Sequence, residues 1–374
     1  MTTWRVSAGA SRRIGPAEAR HHHRTLVLQS LYSDRGRSRA DLARELGLSR
    51  VTISGVVAGL VDDGLVIELG TRTDSRPGKP ATLLDINRQG HNVIGLDLSN
   101  ERSFVGVVTD LDGAVIARAD VEVPPTLGDD AVLAAEQLLK ELIAVAPHPV
   151  LGAGVGSPGI VDDRGVVLSA PNLGWTDVPL REHLSAACDL PVAVANDADA
   201  ALVAERSFGS GQPHMMLVRI GRGVGSGVMI GGQVVGGARH AAGEIGHVVV
   251  GTDEGELCAC GNRGCLETWL ALPRIDTHLN EPGADRQAVL AEAGRRLGIV
   301  LAPIASALNL SEIVVAGPDA DISTPLLSAA EAAVRDRTLA DTHGEMRLRM
   351  TDLGHDLVVL GAVVLVLRGQ LGVA

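Results

Sequence analysis

Aromatic side chains are nearly absent: three Trp, one Tyr and two Phe make up 2% of the 374 residues. A core without large rings must close on Ala, Val, Leu and Gly, which suits helices laid on sheets in α/β fashion. Cysteine is scarce too, with four in the chain and three of them in one short stretch, so a disulfide framework is excluded and a reducing, cytoplasmic compartment is expected. Cys188, the fourth, reads as a buried or half-buried free thiol. The N-terminus carries Arg5, Arg12, Arg13 and Arg20 but no apolar h-region, so nothing there resembles a secretory signal. No apolar run reaches the ~20 residues of a membrane span. The longest, within Asp356 to Val373, is interrupted by Arg368 and reads as a buried helix, so membrane insertion is not expected.

The net charge of -12 conceals an asymmetry. Residues 1–88 hold 14 Lys+Arg against 9 Asp+Glu and the rest holds 19 against 36, so a head of charge +5 precedes a body of charge -17. Only the head is suited to a polyanion. The length allows two or three domains.

Residues 1–23 lack apolar periodicity and are expected to form a flexible arm, with His21, His22 and His23 as a solvated helix entry. Residues 24–88 carry a different pattern. Leu26, Val27, Leu28 and Leu31 predict a first helix ending near Asp34-Arg35-Gly36. Ser38 caps a second, with Leu42 and Leu46 on one face and Gly47 as its stop. Ser49 caps a third, with Val51, Ile53, Val56, Val57 and Leu60 turned inward. Two short helices around a glycine turn form a helix-turn-helix, and Arg50, Thr52 and Ser54 stand at the front of the third helix, where they can reach base edges and phosphates. Strands at Leu65–Glu68 and Ala81–Ile86 flank the basic turn TRTDSRPGKP, a wing whose Arg72, Arg76 and Lys79 would touch the DNA backbone or minor groove. A helical protein-interaction module would share parts of this pattern. Helix order, small recognition-face residues and positive charge together favour a winged helix-turn-helix with double-stranded operator DNA as its partner.

In Gly243 to Glu267, Cys258, Cys260 and Cys265 form C-x-C-x4-C, and His247 stands upstream in a G-E-x-G-H run. Three thiolates and an imidazole suit a closed tetrahedral Zn²⁺ site, which is structural because no position is left for a catalytic water. The bland alternative is a set of packing cysteines, which rarely come in a glycine-punctuated knuckle.

From residue 89 the pattern reads strand (Val93–Leu98), strand (Phe104–Thr109), strand (Val115–Val123), amphipathic helix (Asp130–Ala144), strand (Val150–Gly156). That is the opening of an actin-like, two-lobed sugar-kinase architecture in the α/β class, covering residues 89–374. The body resembles the ROK family (repressors, open reading frames and sugar kinases), most specifically in Glu244-Ile245-Gly246-His247 and the Cys-x-Cys-Gly-x-x-Gly-Cys-x-Glu run, and the attached head resembles its repressor branch. The resemblance implies a sugar site from Asn172, Asn196, Asp197, Glu244, His247 and Glu267. It gives Asp197 the position of the kinase base, although a helical run follows at once and an N-cap role would also explain it. His247 would share itself between metal and sugar.

The family's kinases carry D-x-G-G-T where this chain reads Asp97-Leu98-Ser99-Asn100-Glu101. Side chains then stand where backbone should touch phosphate, and Glu101 adds a charge whose repulsion at 4 Å is about 4 kcal/mol at an effective dielectric of 20. The second loop, Ile220 to Gly232, keeps Gly221, Gly223, Gly225 and Gly227 and looks permissive, whereas Pro318 interrupts the later IVVAG strand end. The expected function is a sugar-responsive repressor, cytoplasmic and nucleoid-associated, acting as a homodimer or higher homo-oligomer with a sugar or sugar-phosphate effector. The alternatives are an ATP-dependent sugar kinase with a fused DNA-binding domain and a constitutive DNA binder with a vestigial body. Because phosphate contacts dominate such binding, raising salt from about 50 to about 200 mM should weaken affinity for a promoter fragment at least ~100-fold, measured by fluorescence anisotropy.

Overall fold

A computed structural model of the chain describes residues 15–71, 81–100, 102–123, 126–250, 255–339 and 346–373. Two compact units result, one of residues up to 90 together with 370–374, the other of residues 91–369.

In the first unit, helix α1 (Pro16–Ser33) begins within the segment expected to be an arm, because Pro16 at its first position and the Ala, Glu and Arg that follow favour a helix without any apolar stripe. Strand β1 (Arg37–Ser38) was not anticipated; it leads into α2 (Arg39–Glu45), where Ser38 and Asp41 form a reciprocal capping box. Ser49 caps α3 (Arg50–Asp62) through the Thr52 amide at 3.1 Å. Strands β2 (Val66–Thr71) and β3 (Thr82–Ile86) complete an antiparallel sheet of order β1-β3-β2. Leu31, Leu42, Ile53, Val57, Leu60 and Leu84 are fully buried. Val51 is not turned inward as expected: it is 84% exposed, because the helical period places it beside Arg50 and away from Ile53 and Val57. The chain end joins this unit rather than the body, with Gln29 Nε2 donating to Gly372 O at 2.6 Å.

In the second unit β4 (Asn92–Asp97), β5 (Ser103–Thr109) and β6 (Val115–Glu122) run antiparallel, α4 (Asp129–Val145) crosses over, and β7 (Val150–Ser157) returns parallel to β4. A small ribbon follows, of β8 (Ile160–Val161), β9 (Val167–Ala170) and β10 (Trp175–Val178). Helix α5 (Leu180–Cys188) leads to β11 (Val192–Asn196), which closes a five-stranded sheet of order β11-β7-β4-β5-β6. Helix α6 (Asp197–Ser207) then crosses to a second lobe, built from β12 (Met215–Ile220), β13 (Val224–Ile230) and β14 (Gln233–Val234), helices α7 (Glu267–Leu270), α8 (Leu272–Leu279) and α9 (Arg286–Leu308), β15 (Glu312–Ala316), α10 (Ala320–Arg335) and β16 (Arg347–Met350). Its five-stranded sheet, β14-β13-β12-β15-β16, repeats the strand scheme of the first: three antiparallel strands, then two parallel ones.

The apolar run near the C-terminus forms α11 (Leu357–Val366), packed on β4, β7 and α6. The segment Gly354–Leu371 is long and apolar enough to cross a membrane, yet more than half of it is buried within the protein. It reaches the sheet because glycine lines the contact: a Cβ at Gly154 would stand 1.8 Å from the Ala362 carbonyl oxygen. On its other side a Cβ at Gly361 would stand 1.8 Å from the Ala200 carbonyl oxygen in α6.

A buried ionic triad ties α6 to β15 and β16 of the second lobe. Arg349 Nη2 donates to Glu205 Oε1 and Arg349 Nε to Glu312 Oε1, each at 2.7 Å, and Thr351 Oγ1 donates to Glu205 Oε2 at 2.7 Å. Both carboxylates are almost completely buried. Arg349→Met leaves two uncompensated carboxylates and should cost about 3–5 kcal/mol in urea unfolding, whereas Arg295→Met, on an exposed pair, should cost less than about 1.

Candidate functional site

The loop after β14 folds back on itself through two isolated bridges, Val249 to Cys265 and Leu257 to Arg263. This brings His247, Cys258, Cys260 and Cys265 together with all four candidate ligand atoms within 4.8 Å of one another. Cys258 Sγ lies 3.6 Å from His247 Nδ1, and Cys260 Sγ lies 3.6 Å from Cys265 Sγ. The cysteines are free thiols, and the two separations match the edges of about 3.5–3.8 Å that a tetrahedron with Zn–N and Zn–S bonds of about 2.0–2.3 Å requires. The residues therefore fit a metal. Glu267, at the start of α7, accepts from Cys258 Sγ at 3.5 Å and from the Val224 amide at 3.0 Å, tying the cluster to the second glycine-rich loop.

At the carboxyl end of β11 the N-cap of α6 is Asn196, not Asp197. Asn196 Oδ1 accepts from the Ala198 and Asp199 amides at 2.8 and 3.2 Å, and its Nδ2 donates to Gly159 O at 2.8 Å. Asp197 is thereby free of the capping task. Its Oδ2 pairs with Arg219, which reaches across from β12 in the other lobe. Arg219 Nη2 also donates to Ser99 Oγ at 3.0 Å, and Ser99 in turn donates to Asp97 Oδ1 from its hydroxyl at 2.6 Å and its amide at 2.8 Å. Burial raises the pKa of Asp197, the positive charge of Arg219 opposes that rise, and Asp97 adds to it. Arg219 escaped the sequence reading; the signal was a lone cation inside the apolar strand MMLVRI.

Two residues further along α6, Asp199 has an Oδ1 buried without a hydrogen-bond partner among the described residues. Burial first, then the charges of Asp197 and Glu244, push its pKa up to about 7. Glu244, an exposed residue, is raised in the same direction by the protein packed around its carboxylate and by Asp197 and Glu267, against His247. A Cβ at Gly227 would meet Asp199 Oδ1 at 2.9 Å and one at Gly223 would meet Glu267 Oε2 at 2.8 Å, so these glycines make room for carboxylates. Asn172 is exposed on the 3-10 turn Pro171–Leu173, and among the described residues no hydrogen bond or ion pair ties it to the carboxylate group.

In the first loop, Asn100 Oδ1 accepts from the Arg102 amide at 2.9 Å; Glu101 lies outside the described residues. On α3, Arg50 and Ser54 are exposed, while the Thr52 hydroxyl is 2.8 Å from Ser49 Oγ and so shared with the cap. Val51 joins that exposed face. Arg72, Arg76 and Lys79 lie outside the described residues.

Fold and site together define a winged-helix unit joined to a body of actin-like, sugar-kinase architecture. The chain belongs to the ROK family, whose model matches residues 93–369. It is 29% identical to a protein named putative xylose repressor from Caldicellulosiruptor sp. (strain Rt8B.4), over 93% of this chain and 96% of that one. Among solved structures, a ROK family transcriptional regulator described as a homolog of the E. coli MLC protein superposes with a TM-score of 0.82 at 24% identity, covering 94% of this chain and 98% of that one. A ROK family glucokinase from Streptomyces griseus, solved with glucose and AMPPNP, gives a TM-score of 0.63 at 27% identity and covers 73% of this chain and 98% of that one.

Asp199 has a testable signature. Its folded pKa of about 7 stands above the ordinary 3.8, so between those values the folded chain holds a proton that the unfolded chain has lost. Stability therefore falls as pH rises through that window, and the penalty is complete above about pH 7. Asp199→Asn should stabilise the protein by about 1–3 kcal/mol at about pH 8 and by much less at about pH 5, read by urea denaturation.

Proposed function

We propose that the chain is a sugar-responsive transcriptional repressor: the winged-helix unit binds operator DNA, and the body binds a sugar or sugar derivative that alters the DNA affinity. The head of charge +5, with Arg50, Val51 and Ser54 on the exposed face of α3, supports operator binding. Arg72, Arg76 and Lys79 would add wing contacts. In the body, Asp197, Asp199, Glu244 and Glu267 would supply acceptors for vicinal hydroxyls, with Asn172 as a further contact and Asn196 capping the helix that carries the two aspartates. An analogue lacking one hydroxyl would leave a buried acceptor unpaired.

Zn²⁺ held by His247, Cys258, Cys260 and Cys265 would be structural, fixing the loop that carries Glu244 and the start of α7 that carries Glu267. The chain would act without phosphoryl transfer. The observation that carries this is the loop after β4, where the Ser99 amide and hydroxyl are both spent on Asp97 Oδ1 and so are not offered to a nucleotide phosphate. The relative matched over nearly its whole length is named a repressor, which supports the same reading.

Regulation requires two states of the body that differ in both sugar and DNA affinity. The chain passes directly from α11 into the last residues, which group with the head, so a shift of α11 has a covalent route to it. A homodimer in the cytoplasm, each winged helix reading one half-site, would supply the specificity that a single head lacks.

The test is titration of a promoter fragment with zinc-loaded protein, with and without D-xylose, D-glucose and a panel of other sugars and sugar phosphates. One of them should change the apparent DNA Kd about 5- to 150-fold. Invariance across the panel would sink the effector role, and steady ADP release from ATP with a hexose would establish the kinase alternative.

A further inference from the structure

The contact between Arg219 and Asp197 is unusual for both partners. Arg219 is a strand residue flanked by fully buried Val218 and Ile220, and it sends its guanidinium out of one lobe onto two elements of the other. One Nη serves Asp197 at the start of α6, and the second serves Ser99 after β4. Asp197 Oδ1 is meanwhile held by the Ala198 amide at 2.9 Å. The carboxylate has therefore lost rotational freedom at both oxygens but keeps unused lone pairs on each, since a carboxylate offers about four acceptor sites.

We propose that Arg219 is a positioning residue of the sugar site, fixing Asp197 as an ionised hydrogen-bond acceptor for a sugar hydroxyl and so turning the position of a proton-abstracting base into a binding group. The proposal rests on the sugar-binding reading above and adds the residue that sets how that site binds. The chemistry follows from the partner. A carboxylate that shares an oxygen with a guanidinium accepts hydrogen bonds readily but is a poor terminus for a proton, because protonation would discard the charge-assisted bond. The alternative role for the same pair, a latch that ligand must break, predicts the opposite change in affinity and is separable on that ground.

The groups facing Asp197 are Arg219 from β12, Asp97 at the end of β4, Asp199 on α6 and Glu244 from the loop before His247. Of these only Arg219 is positive. Without it Asp197 would keep its buried place beside carboxylates, be protonated to a higher pH and lose acceptor strength when protonated. The loss would be reversible by base, which distinguishes it from a loss of packing.

The experiment is calorimetric titration of zinc-loaded full-length protein with D-xylose and, separately, D-glucose, for the wild type, Arg219→Gln and Arg219→Lys. Because Asp199 and Glu244 also titrate, the readout is the ratio of variant to wild-type Kd at each pH. For Arg219→Gln that ratio should be at least ~10 near pH 7 and fall by at least ~3-fold near pH 9, while Arg219→Lys should stay within about 3-fold of wild type. A ratio for Arg219→Gln that is near one, or below one, or equally large at both pH values overturns the assignment, the last outcome meaning a packing role alone. Failure of the wild type to bind either sugar, or any other in the panel, would instead remove the effector reading on which it rests.

Discussion

Helix α11 lies between the first sheet and α6 at backbone contact distance, and the placement of the candidate site depends on that approach. Gly154 on β7 and Gly361 on α11 each stand where a single Cβ would run into a carbonyl oxygen, Ala362 and Ala200 respectively. Overpacking at such points costs typically 1–3 kcal/mol or more, because cores do not deform smoothly. With α11 seated this closely, α6 is held over the seam between the lobes, also touching β12 and β13. Asp197 and Asp199 therefore ride on a helix whose position both sheets determine. A helix could not approach a sheet at this distance across large aromatic side chains.

The site set on that frame is a balance of like charges. Burial first, and then repulsion among neighbouring carboxylates, pushes Asp197, Asp199 and Glu244 above their usual range, and Arg219 is the cation that Asp197 has in contact. A ligand rich in hydroxyl donors meets acceptors throughout such a surface, while an added anion meets repulsion. The glycines of the second loop acquire a meaning other than nucleotide binding, since at 223 and 227 they leave space for Glu267 and Asp199. The cysteine cluster acts at one remove, through Glu267, which bonds Cys258 on one oxygen and the Val224 amide on the other.

Much of this was legible in the chain. Caps at Ser38 and Ser49, the strand order that opens the body and the C-x-C-x4-C knuckle are local signals, read within a few residues by hydrogen-bonding capacity and periodicity. Others were not. Whether Asn196 or Asp197 caps α6 is a matter of one residue of phase, and both side chains can do it. Apolarity alone would put Val51 in the core, but the helical period turns it to solvent.

The sequence by itself determined the two-part organisation, the charge contrast between head and body, the His/Cys quartet that could hold a metal and the family, because each is carried by composition or by short spacing. Tertiary structure alone decided that the chain end groups with the head and that Arg219 faces both Asp197 and Ser99. Those pairings join residues as far apart as 22, 120 and 343 positions, a separation at which no local propensity acts and only the packed lobes choose the neighbours.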